Sequence, residues 1–213
     1  MIDKICEMLT QRIKKEMPEM TKEREEAIYF GLQNIIGEFP KIFVLFLIAF
    51  ILKIGWLTIF FFFAILPYRT FSGGFHLKTH IGCIIGTSVF FCGNVLLSKY
   101  LIFPTQITYI IAVGIWIFSM IMIRLYAPAD TENIPIISKK QRKKQQILSY
   151  ITMTLTILAG ILVQNSVITN ILVYGVLLQS LSISRIAYKI TNNKYGYEEY
   201  AKLELENATN YNG

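Results

Sequence analysis

The chain has 213 residues, of which 54% are hydrophobic and only 16% are charged, whereas soluble domains usually carry about 25% charged residues. This composition excludes an ordinary soluble domain and predicts an all-α integral membrane protein whose single bundle uses the whole length. The formal net charge of +7 is expected to come from basic loops facing an anionic lipid bilayer, so no nucleic-acid partner is expected.

The N-terminal segment 1–26 is predicted to form an amphipathic helix. Apolar side chains recur in it every three or four residues, with Lys, Arg and Glu between them: Ile2, Ile5, Leu9, Ile13 and Met17. Because it holds seven acidic and six basic residues and no apolar centre, the segment is not expected to be a cleavable signal peptide. We expect the helix to lie in the membrane interface, with packing against the bundle as the alternative.

Apolar runs within residues 27–190 predict a bundle of about six transmembrane helices. The runs cover residues 27–52, 54–67, 81–98, 107–123, 147–163 and 168–183. Glu38, Pro40 and Lys41 interrupt the first run and the second run is short, so residues 40–67 form either one span or two. Residues 191–213 are polar and are predicted to form a frayed tail.

The basic residues favour six spans over five. With six spans and the N-terminus inside the cell, the cytoplasmic segments hold 18 basic residues, and the outer loops hold only Lys53 and Lys99. Both termini and the segment 69–83 are therefore expected at the cytoplasmic face of a cell membrane.

The segment 69–83, Arg-Thr-Phe-Ser-Gly-Gly-Phe-His-Leu-Lys-Thr-His-Ile-Gly-Cys, joins the second and third runs and holds the parts of a nucleophilic site. The Cys83 thiol is the candidate nucleophile, and an imidazole is the candidate base. His80 lies three residues earlier, on the same face of a helix. His76 lies seven residues earlier, which is about 10.5 Å along a straight helix. His76 can serve as the base only if the chain folds back at Gly73 and Gly74.

Local signals also place Cys83 at the start of a helix. Thr79 is a suitable N-cap, and a helix beginning there holds Cys83 within about its first turn, where the helix dipole favours a thiolate. Arg69 either binds an acidic group or stabilises developing negative charge, or it extends to the lipid headgroups. Cys6 and Cys92 are expected to be passive, and no metal ion or other cofactor is expected.

A second polar segment, residues 126–144, contains Pro128 and Pro135 followed by a basic run. The basic run is a candidate docking surface for an acidic peptide, although basic residues beside a span are also expected from topology alone. Its members are Lys139, Lys140, Arg142, Lys143 and Lys144. Asp130 and Glu132 are possible orienting carboxylates, and Gln179 in the last run is expected to contact another helix or a subunit.

The stretch from Arg69 through Ser-Gly-Gly-Phe-His76 to Cys83 resembles the AgrB family, the membrane cysteine endopeptidases of Gram-positive quorum sensing. The loop Ala-Pro-Ala-Asp-Thr-Glu-Asn-Ile-Pro and the lysine-rich run after it resemble a later signature of that family. The resemblance implies His76 as the general base and Cys83 as the nucleophile. It also matches Arg69 and Gly74 to positions that family members need for activity, and His80 is a departure from the pattern.

The resemblance further implies cleavage of the C-terminal tail from an AgrD-like precursor peptide, through a thioester to the enzyme and closure of a thiolactone or lactone ring. Arg69, Gly73, Gly74 and the basic run are the candidate substrate-binding residues, and a homodimer in a bacterial cell membrane is expected. Two alternatives stay open at this point: a peptide exporter that does not cut its cargo, and a membrane scaffold without catalytic activity.

Overall fold

The computed structural model describes residues 2–17, 20–75, 77, 79–131 and 135–211, and within these ranges the chain forms helices and no named strand. The helices are α1 (Ile2–Glu16), α2 (Lys22–Ile51), α3 (Gly55–Ser72), α4 (His80–Tyr100), α5 (Thr105–Tyr126), α6 (Lys139–Leu162), α7 (Ser166–Ser182), α8 (Arg185–Ile190) and α9 (Gly196–Tyr211). The all-α class predicted from the sequence is therefore confirmed.

The N-terminal helix is shorter than the sequence predicts. It ends at Glu16, and α2 begins after Thr21, whose side chain accepts a hydrogen bond from the Arg24 amide and caps the new helix. The predicted boundary at residue 26 thus falls inside α2. One face of α1 is buried against the bundle through Cys6 and Thr10, and α1 packs on α2.

Residues 40–67 belong to two helices rather than one. Pro40 lies within α2, which ends at Ile51, and Pro67 lies within α3, which begins at Gly55. The turn between the helices passes through Lys53, whose φ of 57° reverses the chain. Because α2 and α3 then pack against each other, they form an antiparallel pair, and whether each of them crosses the membrane stays a prediction.

Helix α7 is the centre of the bundle, where it packs against α3, α4, α5 and α6. The fully buried Phe61 ring of α3 packs directly against Gly175 of α7, at a place where any larger side chain would overlap the ring. Nearby, the Tyr68 hydroxyl and the Ser180 hydroxyl are 2.8 Å apart, and the Ser180 and Ser119 hydroxyls are 2.7 Å apart. Such hydrogen bonds between helices give partners to polar groups that would otherwise have none inside an apolar bundle.

Long-range hydrogen bonds show which connections share an end of the bundle. At one end, the Asn170 side-chain amide donates to the Leu101 carbonyl (2.9 Å), so the α4–α5 connection lies beside the start of α7. At the other end, the Tyr188 hydroxyl donates to the Ala129 carbonyl (2.8 Å), so the α5–α6 connection lies beside α8. The α3–α4 connection lies at this second end as well, because Gly74 bonds to Ala129.

Three of the described helices are long and apolar enough to cross a membrane: residues 81–100, 105–126 and 139–162. The shorter apolar helix α7 is enclosed by the others. Large apolar side chains on the outer surfaces of the helices are exposed, among them Phe43, Trp56 and Ile110. These surfaces and lengths are those of a membrane protein, whereas the number of spans stays a prediction.

The C-terminal segment differs from the frayed tail that the sequence predicts, because residues 196–211 form α9. The start of this segment is fixed by the bundle. The Tyr195 ring stacks on Tyr188 with 4.2 Å between ring centroids, and its hydroxyl donates to the Ile183 carbonyl (2.8 Å). Arg185 and Glu198 form an ion pair at 2.7 Å across the turn.

Candidate active site

A turn built on two glycines ends α3. Gly73 has φ 74° and ψ −153°, Gly74 has φ 148°, and both values of φ strongly favour glycine. The Gly74 amide donates to the Ala129 carbonyl (3.0 Å), and the Ala129 amide donates to the Ser72 carbonyl (2.8 Å). A Cβ atom on Gly73 would overlap the Ala129 carbonyl. Only glycine therefore allows the α3–α4 connection to approach the α5–α6 connection this closely.

The α5–α6 connection is itself fixed by buried polar contacts around Asp130. One Asp130 oxygen, Oδ2, accepts from the Ile136 amide (2.8 Å) and from the Arg142 guanidinium (3.0 Å). Arg142 also donates to the Pro128 carbonyl (3.2 Å) and lies 4.5 Å from the centroid of the Tyr197 ring. Asp130 and Arg142 thus join the start of α6 to the segment that supports the glycine turn.

Helix α4 begins with the capping geometry that the sequence predicts. The Thr79 side chain accepts a hydrogen bond from the Gly82 amide (3.1 Å), and the Thr79 carbonyl accepts from the Cys83 amide (2.9 Å). Cys83 therefore lies at the end of the first turn of α4, with its side chain half-buried. Cys83 thus lies next to the positive end of the helix dipole, which the amides of this first turn form.

Arg69, in the last turn of α3, is held by a buried glutamine of α7. The guanidinium donates to the Gln179 side-chain oxygen (3.0 Å) and lies 5.6 Å from the centroid of the Phe90 ring. The amide nitrogen of Gln179, which is fully buried, donates to the Ser72 hydroxyl (2.9 Å) and to the Gly73 carbonyl (2.8 Å). One glutamine thus fixes both the cation and the glycine turn.

Cys83 and Arg69 line one cavity of about 260 Å³ between α2, α3, α4 and α7. Most of its wall is apolar and includes Phe62, Ile65, Phe75, Leu77, Phe90 and Phe91. The charged residues that line it, within the described part of the chain, are Glu38, Lys41 and Arg69. The cavity therefore presents a thiol, two cations and one carboxylate to a space that is large enough for part of a peptide.

A comparison with known protein families identifies the family of this chain. The family model for accessory gene regulator B matches residues 6–183, which is most of the chain and includes every element of the cavity. The chain belongs to the AgrB family. Family membership implies a part in accessory gene regulator quorum sensing, at a membrane.

Curated relatives of the AgrB family match the chain over most of its length. An AgrB-like protein of Listeria innocua is 27% identical over 184 residues, covering 84% of this chain and 88% of the relative. An AgrB-like protein of Clostridium acetobutylicum is 24% identical over 202 residues, covering 94% of each chain. One from Clostridium perfringens is 26% identical over 149 residues, covering 68% of this chain and 69% of the relative. No solved structure matches the chain.

Several residues proposed from the AgrB resemblance lie together in the structure. Cys83 and Arg69 line the same cavity, and Gly73 and Gly74 form the turn beside it. His76 lies outside the described residues, so its role as the base stays a prediction. His80 is the first residue of α4. Its side chain is likewise outside the description, and the choice between the two imidazoles stays open.

The basic run lies at the start of α6, at the same end of the bundle as the glycine turn. Lys139, Lys140, Lys143 and Lys144 are exposed there. Arg142 differs from these lysines because it is half-buried and paired with Asp130. The docking role of the run stays a prediction, and so does an orienting role for Glu132, which lies outside the described residues.

Sequence reasoning missed the contribution of α2 and underestimated that of α7. Gln179 was expected to contact a helix or a subunit, but not to bind Arg69 and the glycine turn together. Glu38 and Lys41 were noted only because they interrupt an apolar run, yet both line the cavity with Cys83. Two charges inside such a run indicate that this part of α2 faces polar surroundings, but they do not show which residues it faces.

Proposed function

We propose that the chain is a membrane cysteine endopeptidase that cuts the C-terminal tail from an AgrD-like precursor and promotes closure of a thiolactone or lactone ring. The observation that carries this proposal is the position of Cys83 in a chain of the AgrB family. Its half-buried thiol lies in the first turn of a capped helix and faces a cavity shared with Arg69. This arrangement has the nucleophile and the cation that acyl transfer requires.

In the first step, the Cys83 thiol gives its proton to a base, which we assign to His76, and the sulfur attacks the carbonyl carbon of the scissile peptide bond. The oxygen of that carbonyl becomes negative, and the Arg69 guanidinium stabilises it. The carbon–nitrogen bond then breaks, the departing amine takes the proton from the imidazolium, and the tail leaves with a free amino terminus. The rest of the peptide remains on Cys83 as a thioester.

In the second step, a cysteine or serine within the bound peptide attacks the thioester carbonyl. Its proton leaves to the base, the new thiolactone or lactone bond forms, and the Cys83 thiolate departs. The thioester retains part of the free energy of the peptide bond, and the apolar cavity wall protects it from hydrolysis. Because the attacking group belongs to the same bound peptide, ring closure is effectively unimolecular.

The basic run at the start of α6 is proposed to hold an acidic tail of the precursor. Four exposed lysines lie at the end of the bundle where the glycine turn and Asp130 also lie. Charge reversal at Lys139, Lys140, Lys143 and Lys144 is expected to weaken precursor binding and to slow cleavage. Arg142 is kept in this test because its ion pair with Asp130 supports the fold. Unchanged precursor binding and cleavage would contradict a docking role for the basic run.

We propose six spans, with both termini and Cys83 at the cytoplasmic face of a bacterial membrane, and a homodimer as the working unit. The competing function is peptide export without cleavage. Export predicts that a Cys83→Ala variant changes where the peptide is found and leaves its length unchanged.

The experiment that separates these functions is mass spectrometry of a cognate AgrD-like precursor incorporated into liposomes with the protein. Wild type and the Cys92→Ala control are expected to release the C-terminal fragment, because Cys92 is buried deeper in α4. Cys83→Ala and His76→Ala are expected to leave the precursor intact while still inserting in the membrane. Loss of cleavage in His80→Ala but not in His76→Ala would make His80 the base. An intact precursor with wild type would contradict the peptidase.

A further inference from the structure

The pair Glu38 and Lys41 lies on the cavity-facing side of α2, within a helix that is otherwise apolar from Ile42 onwards. The Lys41 ammonium donates to the Glu38 carboxylate at 2.6 Å. The Lys41 side chain is only 13% exposed, whereas the Glu38 side chain is 49% exposed, so the pair extends from the surface into the cavity wall. A half-buried lysine that faces a mostly apolar cavity in such a helix is costly unless it pairs or serves a function.

The glutamate alone accounts poorly for this cost. An ion pair with one half-exposed partner contributes little to stability, so it offsets only part of the penalty for removing an ammonium group from water. A second anion on the buried side of Lys41 would compensate further. Within the described residues that line the cavity, the group able to become that anion is Cys83, which lines the same cavity as Lys41 and Arg69.

We propose that Lys41 is a further catalytic residue of this site, whose ammonium group stabilises the thiolate of Cys83. Glu38 is then a positioning residue, which orients Lys41 and partly neutralises its positive charge. This inference rests on the peptidase function proposed above. The proton released from Cys83 goes to the base, and Lys41 keeps its own proton throughout. Arg69, which is tied to Gln179, then remains available for the carbonyl oxygen.

Among the described residues that line the cavity, the charges around Cys83 come from two helices. Helix α2 supplies Glu38 and Lys41, and α3 supplies Arg69. Helix α7 contributes the uncharged Ser182, and α4 itself carries His80, whose side chain is outside the description, as is His76 in the connection before it. Removing Lys41 therefore leaves Arg69 and the helix start to favour the thiolate, so we expect its loss to reduce thiolate formation without abolishing it.

The test is the rate at which iodoacetamide alkylates Cys83, measured from pH 6 to pH 10 in the full-length protein in liposomes. Cys6 and Cys92 are replaced by alanine so that Cys83 is the single thiol. Because a thiolate reacts and a thiol does not, Lys41→Met is expected to slow alkylation about tenfold at pH 7. It should move the midpoint of the pH profile upwards and leave the rate at pH 10 nearly unchanged. Lys41→Arg should restore most of the rate.

The Glu38→Gln variant is expected to change the alkylation rate in the opposite direction. With the carboxylate removed and Lys41 retained, alkylation at pH 7 is expected to become several-fold faster. A purely structural pair would not give opposite effects for its two members. Lys99→Met is the matched control, because Lys99 lies on the same helix as Cys83 but sixteen residues away, about 24 Å along its axis. It should alkylate at the wild-type rate.

The outcomes separate this inference from the peptidase itself. Wild-type alkylation rates in both Lys41→Met and Glu38→Gln would overturn the role of Lys41, whether or not precursor cleavage survives. If Lys41→Met fails to insert, the sign of the Glu38→Gln effect decides alone, and a slower or equal rate overturns the inference. The expected alkylation pattern with no precursor cleavage by wild type would uphold the Lys41–thiolate interaction while rejecting the peptidase function.

Discussion

Gln179 joins two features at the edge of the cavity, the Arg69 guanidinium and the glycine turn. It is fully buried, and it binds Arg69 through its oxygen and the glycine turn through its nitrogen. A single side chain from α7 therefore sets the distance between Arg69, in the last turn of α3, and the glycine turn that follows α3. A shorter or apolar residue at this position would leave both groups without their buried partner.

We expect Gln179→Leu to destabilise the protein by about 1–3 kcal/mol, because the Ser72 hydroxyl and the Gly73 carbonyl lose a hydrogen bond that water cannot readily replace. Cleavage of the precursor should fall at least tenfold, since Arg69 is no longer held. Thermal unfolding in detergent and release of the C-terminal fragment measure the two effects. Gln106→Leu, at an exposed position in α5, is the control and should change neither.

Signals from neighbouring residues in the sequence predicted the part of this site that is formed by the α3–α4 connection and the start of α4. Thr79, Cys83 and the glycine pair were identifiable because capping, the first turn of a helix and positive φ depend on neighbours within a few residues. Gln179 and Lys41 were not identifiable as site residues, because their partners lie about 110 and 40 residues away along the chain. Only the packing of α2 and α7 against α3 and α4 brings them to the cavity.

At the scale of the element, the start of α4 determines how Cys83 is presented. The Thr79 cap satisfies the Gly82 amide and fixes the first turn, in which the helix dipole acts most strongly. Fraying of that turn would both weaken the dipole at the thiol and move the sulfur in the cavity. The cap thus has a consequence for reactivity that an equivalent cap elsewhere in the bundle does not have.

Thr79→Ala is expected to cost about 1 kcal/mol of stability and to slow alkylation of Cys83 at pH 7 several-fold. Thr79→Ser keeps the acceptor oxygen and should behave as wild type. The matched control is Asn165→Ala, because Asn165 caps α7 at the other end of the bundle by accepting from the Val167 and Ile168 amides. It should cost similar stability and leave alkylation unchanged. Equal alkylation in both alanine variants would contradict a role for the cap in activating the thiol.

Helix boundaries were predicted well only where an apolar run met a turn. The four later runs overlap α4 to α7, although α6 begins eight residues before its run. The first helix ends ten residues early because the Thr21 cap starts a new one. Helix α9 was missed because its composition is polar, and hydrophobic periodicity carries no signal for a helix that a few contacts near Tyr195 attach to the bundle.

At the scale of the whole molecule, the bundle has two unlike ends. The glycine turn, the α5–α6 connection and α8 meet at one end, where the basic run of α6 also begins. The other end holds the α2–α3 turn, which contains Lys53, and the α4–α5 connection, which follows Lys99 in the last turn of α4. These two connections lie there because α3 and α4 each run from one end of the bundle to the other. The charge difference between these ends is what the positive-inside rule uses to orient a membrane protein.

This asymmetry predicts which positions an impermeant maleimide can reach from outside intact cells. In a variant with all three native cysteines replaced by alanine, Lys53→Cys and Lys99→Cys are expected to react without permeabilisation. Lys140→Cys, exposed at the start of α6, should react only after the membrane is opened. Labelling of Lys140→Cys in intact cells would place Cys83 at the outer face, since the connections before α4 and α6 are joined through Gly74 and Ala129. A precursor synthesised in the cytoplasm would then have to cross the membrane before it could be cut, so this measurement tests the order of cleavage and export as well as the topology.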